Sequence, residues 1–230
     1  MYRAIFFDAG NTLLYTSIDR KERIRRALAS RGLEFTLEAV GRAVAQVEGE
    51  LLGPDKPWIG TEEEEERFWR RYYPGILKAL GVRDEGGELA RYLRQETFYV
   101  KWGAVYPEVH AVLEALRGRY KLGVISNAFP SMREALDRLS LSGYFHSIVI
   151  SAVVGVAKPD PRIYRIALES LDVAAEDSIF VDDVEENVVA AEELGMTAFL
   201  LDRAGQHPQA DCRRIESLRE VVDYVSGHTG

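Results

Sequence analysis

Side chains able to do chemistry stand at four points of this chain, each close behind a short apolar run. Asp8 follows Ala4-Ile5-Phe6-Phe7 and opens the loop Ala9-Gly10-Asn11-Thr12. Ser126 and Asn127 follow Leu122-Gly123-Val124-Ile125, and Asp182 and Asp183 follow Ser178-Ile179-Phe180-Val181. Lys158 comes after Ser147-Ile148-Val149-Ile150, within Val156-Ala157-Lys158-Pro159-Asp160. A carboxylate such as Asp8 can attack a phosphate monoester and form an aspartyl-phosphate that water later hydrolyses. The dianionic phosphoryl group repels that carboxylate, so the chemistry also needs positive charge. Lys158 offers one such charge. A Mg²⁺ on Asp8, Asp182 and Asp183 would offer more, because an all-oxygen set without histidine or thiolate suits that ion better than zinc. Ser126 with its neighbouring amide is a candidate holder of phosphate oxygens, together with Asn127 and Thr12. Thr12 is also expected to bond the loop backbone and steady Asp8. Asn187, five residues past Asp182, could bond a metal-bound water, orient Lys158, or satisfy the start of a helix.

These residues need elements to bring them together. The four apolar runs, with a fifth at Thr197-Ala198-Phe199-Leu200-Leu201, have the length of buried parallel strands. Amphipathic helical stretches lie between the later ones, at 108–116, 132–139, 162–171 and 185–194. This alternation predicts an α/β fold, an open parallel sheet of about five strands with helices on both faces. In such sheets ligands bind outside the carboxyl ends of the strands. Alone, an Asp after a strand is usually a helix cap and a Lys before Pro a surface loop. Four such ends in order point to one crevice.

Residues 15–102 break the rhythm and read as helices without a convincing strand. Helical periodicity covers 21–30 and 37–52, with Gly32 a stop for the first. Thr61 followed by Glu62-Glu63-Glu64-Glu65-Glu66 reads as a hydroxyl cap with acids at the positive end of a helix dipole, hence as a solvated first turn. Phe68, Trp69, Tyr72 and Tyr73 follow at helical spacing and are expected in a core. The division predicted is a core domain of residues 1–14 and 103–230, and a helical cap domain of residues 15–102 that moves against it and selects substrate.

Composition removes other classes. Of 230 residues, 47% are hydrophobic and 29% charged, as in ordinary soluble domains. With 29 basic and 37 acidic residues the net charge is −8, which argues against nucleic acid or anionic membrane as partner and leaves a small-molecule substrate. A single cysteine, Cys212, excludes an intrachain disulfide and is read as inert. No apolar run approaches the roughly 18 residues of a membrane span, and Met1-Tyr2-Arg3 leads into a strand instead of a secretory segment, so a cytoplasmic location is expected. GxxxxGK[ST], GxGxxG after a strand, GxSxG and HExxH are all absent. His110, His146, His207 and His228 lack metal-ligand spacing. The oligomeric state is left open.

The stretches Phe6–Leu14, Val124–Asn127, Lys158–Tyr164 and Phe180–Met196 resemble the haloacid dehalogenase-like (HAD) hydrolase superfamily, in the form with a helical cap inserted after the first motif. The resemblance implies a Rossmann-like core, Asp8 as nucleophile, Lys158 as its cationic partner, and Mg²⁺ on Asp8, Asp182, Asp183 and the Gly10 carbonyl. It also exposes a departure. Family phosphatases usually carry a second Asp two past the nucleophile, as general acid and base, and here that position is Gly10. General acid–base help is typically worth about 10²- to 10⁴-fold. A slow phosphatase is therefore expected first. Haloacid dehalogenases, whose halide leaves without a proton, are the alternative, and Tyr164 matches a tyrosine they carry. Against them stand Asp182 and Asp183, where dehalogenases have small uncharged residues. A non-catalytic phosphate- or partner-binding role is the third reading.

Overall fold

The computed structural model describes residues 1–53 and 55–227, so His228 lies outside the described residues. In chain order the elements are β1 (Ala4–Phe7), β2 (Leu14–Thr16), α1 (Arg20–Ala29), α2 (Leu37–Leu51), α3 (Glu62–Ala79), α4 (Glu88–Thr97), α5 (Tyr99–Trp102), β3 (Gly103–Val105), α6 (Val109–Leu116), β4 (Lys121–Ser126), α7 (Met132–Arg138), β5 (Ser147–Ile150), α8 (Ser151–Val154), α9 (Pro161–Leu171), β6 (Ser178–Asp182), α10 (Glu185–Glu193), β7 (Thr197–Leu201), β8 (Arg214–Ile215) and α11 (Arg219–Gly227). They form two units, one of Met1–Tyr15 with Val105–Gly230, the other of Thr16–Ala104.

The first unit is built on a parallel sheet in the order β5-β4-β1-β6-β7-β8. β1 lies between β4 and β6, so the chain runs outward from it in both directions. A parallel sheet covered on both faces has no polar side, which is why its strands read as continuous apolar runs. All four residues of β1 are fully buried. Ala4 and Phe6 enter one core cluster with Ile125, Val149, Ile163, Tyr164 and Phe180. Gly123 pairs with Phe6 across the β1–β4 ladder, and a Cβ there would lie 2.6 Å from the Phe6 ring. The glycine leaves the room that ring occupies. The five strands expected from sequence are present, and β8 is a sixth. Two residues, one of them exposed, carry no periodicity to read.

The second unit contains four longer helices, in which α1 packs on α2 and α4 while α3 packs on the same two. Asp19, Thr36 and Thr61 cap α1, α2 and α3 through their side chains. At α3 the cap is reciprocal, the Glu64 carboxylate accepting from the Thr61 amide at 3.0 Å. Gly32 takes a positive φ of 76° just past α1. Phe68, Trp69, Tyr72 and Tyr73 are buried, as expected. One acid of the run departs from the solvated reading. Glu65 is buried and accepts a 2.9 Å hydrogen bond from Trp69 Nε1, because i,i+4 spacing turns it onto the aromatic face. At the borders of residues 15–102, β2 and β3 pair as a two-stranded sheet, β2 reaching in as far as Thr16 and β3 starting just past Trp102. Among the described residues no helix is long and apolar enough to cross a membrane.

Candidate active site

The central strands of the first unit end in the residues singled out from sequence. Asp8 is the first residue past β1, its amide donating to the Val181 carbonyl at 2.8 Å, while Ser126 closes β4 and Asp182 closes β6. Pairing puts β1 between β4 and β6, so these tips are neighbours. The loop after β1 turns back at Asn11, whose φ of 58° is one that asparagine tolerates. The amides of Leu13 and Leu14 both return to the Ala9 carbonyl.

Lys158 joins the tips. Its Nζ donates to Asp8 Oδ1 at 2.6 Å, to Asp182 Oδ2 at 2.6 Å and to the Ile125 carbonyl at 2.8 Å. An ammonium has three protons, and all three are used. Asn127, a candidate phosphate ligand by sequence, spends its side chain on this lysine instead. Its Oδ1 accepts from the Lys158 amide at 2.8 Å and its Nδ2 donates to the Lys158 carbonyl at 2.9 Å. Asn187 is bound directly to a carboxylate, Nδ2 lying 3.2 and 3.1 Å from the two oxygens of Asp182, which also accepts from the Val184 amide at 2.9 Å. Asn187 thus bonds Asp182, a partner outside the roles weighed from sequence. Thr12 corrects an expectation. It is fully buried, and its Oγ1 has no hydrogen-bond partner among the described residues, so it does not bond the loop backbone.

Asp8, Asp182 and Asp183 each bring one oxygen to within 4.8 Å of the others. Burial pushes the Asp8 carboxyl up to about 7, with Lys158 pulling down and Asp182 and Asp183 adding to the rise. Burial, then Asp182, also raises Asp183. Burial opposes the charge on Lys158, but the acids on either side outweigh it and hold its ammonium above the ordinary value. Three carboxyl groups thus lie together, and two of them share one ammonium. That excess of hard oxygen donors, with no imidazole or thiolate in the cluster, fits a divalent cation of the Mg²⁺ kind. Gly10 stands two residues past Asp8, and a Cβ built on it has nothing within 4 Å among the described residues.

Tyr164, the possible dehalogenase feature, packs in the core. It is fully buried, its ring meets Phe180 edge-on at 5.3 Å, and its hydroxyl donates to the Asn187 carbonyl at 2.8 Å. Sequence reasoning missed Arg203. Its guanidinium pairs with Glu108, donates to the Thr12 carbonyl at 3.1 Å and lies 3.8 Å over the Tyr106 ring, bracing the loop that follows Asp8.

A family model, haloacid dehalogenase-like hydrolase, matches residues 2–195. The chain belongs to that family and is a hydrolase. Phosphatase MT3486 of Mycobacterium tuberculosis (strain CDC 1551 / Oshkosh) is 31% identical over 70% of this chain and 82% of its own. The glyceraldehyde 3-phosphate phosphatase of Methanopyrus kandleri is 28% identical over 98% of this chain and 97% of its own. Among solved structures, the 2-haloacid dehalogenase of Pseudomonas syringae pv. Tomato DC3000 superposes over 100% of both chains, with a TM-score of 0.73 at 22% identity, a likeness of fold.

Proposed function

We propose that the protein is a Mg²⁺-dependent phosphatase, acting on a small phosphorylated metabolite in the cytoplasm through an aspartyl-phosphate, and slow on poor leaving groups because Gly10 offers no acid. The observation that carries this reading is the gathering of three carboxyl groups at adjacent strand tips, two of them bonded to the Lys158 ammonium. An Asp8 oxygen forms the bond to phosphorus while the ester P–O bond breaks, its electron pair leaving with the alcohol oxygen, which takes a proton from water. A second water then attacks phosphorus, releasing inorganic phosphate and restoring the Asp8 carboxylate. Lys158 holds Asp8 in place and offsets the negative charge of the approaching ester. Ser126 and the amide after it would hold phosphoryl oxygens. When bound by Asp8, Asp182, Asp183 and the Gly10 carbonyl, Mg²⁺ would neutralise charge on the phosphoryl group.

Relatives named as phosphatases support the reading. Dehalogenation is less well supported, because the Tyr164 hydroxyl is spent on a backbone carbonyl and two acids stand beside Asp8. Turnover of p-nitrophenyl phosphate, a panel of phosphorylated metabolites and short haloacids, each with Mg²⁺ or with EDTA, tests it. Phosphate release that needs Mg²⁺ and is lost in Asp8→Asn is expected. Halide release unaffected by EDTA would overturn the proposal, as would no turnover of any substrate despite Mg²⁺ binding.

A further inference from the structure

The second unit contains a buried cation whose donors are left partly unbonded among the described residues. Arg23, on α1, is 5% exposed, and its Nε and Nη1 have no hydrogen-bond partner among the described residues. Buried polar groups in folded proteins are almost always bonded, and a buried ion left unpaired is the costliest exception. The nearby groups are already committed. Arg20, three residues earlier and so on the same side of the helix, donates to Glu48 at 3.1 Å and lies 5.5 Å over the Trp69 ring. Tyr72 gives its hydroxyl proton to the same Glu48 carboxylate at 3.0 Å, and the Tyr73 hydroxyl is bonded to Thr97 at 2.6 Å. Asp19 acts on Arg23 through its charge, but its carboxylate accepts from the Glu22 amide as the cap of α1. Burial first, then the Arg20 charge, pulls the Arg23 guanidinium below its ordinary value.

Glu48 is thus shared between Arg20 and Tyr72, and Arg23 is left with free donors beside a second guanidinium. A small anion would supply what is missing, since guanidinium donors pair best with carboxylate or phosphate oxygens. We propose that Arg23, with Arg20 one turn away, is an anion-binding subsite within the helical unit that takes a carboxylate or phosphate oxygen of a small-molecule ligand. The proposal does not rest on the phosphatase reading, because it is read out by binding and not by turnover.

The test is calorimetric titration of the full chain in Mg²⁺-free buffer at constant ionic strength, with malonate in one arm and inorganic phosphate in the other. At least one anion should bind, and Arg23→Met should weaken it by about tenfold or more, the scale of a lost charge-assisted hydrogen bond. Malonate alone binding would identify a carboxylate site, phosphate alone a phosphate site. In the absence of anion, Arg23→Met should melt higher than the natural protein, because it removes a buried cation whose Nε and Nη1 bond to none of the described residues. Undiminished affinity in Arg23→Met, or no binding of either anion, would overturn the proposal. Should Arg23→Met fail to fold, crystals of the natural protein soaked in malonate or phosphate decide, and an anion found only away from the Arg23 guanidinium counts against it.

Discussion

Lys158 Nζ lies 2.6 Å from Asp8 Oδ1, with the lysine side chain 1% and the aspartate side chain 10% exposed. A cation is therefore fixed against the candidate nucleophile before any ligand arrives. Lys158→Met would leave Asp8 and Asp182 buried together with no counter-charge, and breaking such a pair typically costs about 3–5 kcal/mol. A clearly lower urea midpoint is expected in Mg²⁺-free buffer, with turnover down by about 10² or more, as when one preorganised electrostatic group is removed. An unchanged midpoint would mean that the pair gives the fold nothing net.

Asp8 predicts the opposite sign. Its carboxyl is raised from 3.8 to about 7, chiefly by burial, so the folded chain holds a proton there that the unfolded chain has released. An acid raised in this way costs stability as pH climbs from about 4 to about 7, and the full cost persists above that window. Asp8→Asn removes it. The variant should be inactive yet melt higher than the natural protein at pH 8, and show little gain at pH 4. Scanning calorimetry without Mg²⁺ at the two pH values measures this, and a gain independent of pH would rule out the carboxyl as its origin.

Asn187 bonds both oxygens of Asp182 from a buried position. Groups that orient a metal ligand are commonly worth about 10- to 100-fold in metal affinity. Asn187→Leu should weaken Mg²⁺ binding on that scale while the protein still folds, its loss held to about 1.5–3 kcal/mol for one hydrogen bond to a charged group. Mg²⁺ titration by calorimetry decides. Equal affinity in the variant would leave Asn187 with its helix-start role alone.

The parts of this molecule legible in its sequence are those whose signal is local. β1, β4, β5, β6 and β7 announce themselves because a sheet buried on both faces demands unbroken apolar runs. Asp8, Ser126 and Asp182 follow from where those runs stop. Other features depend on neighbours distant in sequence. Arg203 reaches Glu108 across 95 positions and the Thr12 carbonyl across 191, and no spacing rule links them. Thr12 has the residue type of a loop cap, yet tertiary packing encloses its hydroxyl without a partner among the described residues. α3 continues through Pro74, a residue that usually ends a helix, because Tyr72, Tyr73, Ile76 and Leu77 on either side are all buried.

Gly10 offers the most direct test of the chemistry. Without an acid two residues past Asp8, the departing oxygen must bear its own charge, so cleavage should depend steeply on leaving-group pKa. p-Nitrophenyl phosphate should then turn over far faster than a sugar phosphate. The structure leaves room to restore the acid. The backbone at Gly10 is not in the left-handed region, and an added Cβ meets nothing within 4 Å among the described residues. Gly10→Asp should accordingly fold, and should raise kcat for alkyl phosphates by up to the 10²–10⁴ typical of a placed general acid, with a much smaller gain for the aryl ester. The ratio of the two gains is the diagnostic, because a change in metal affinity or stability would move both substrates together. Equal turnover of alkyl and aryl esters by the natural protein would show that another group already delivers the proton, and Gly10→Asp would then gain nothing selective.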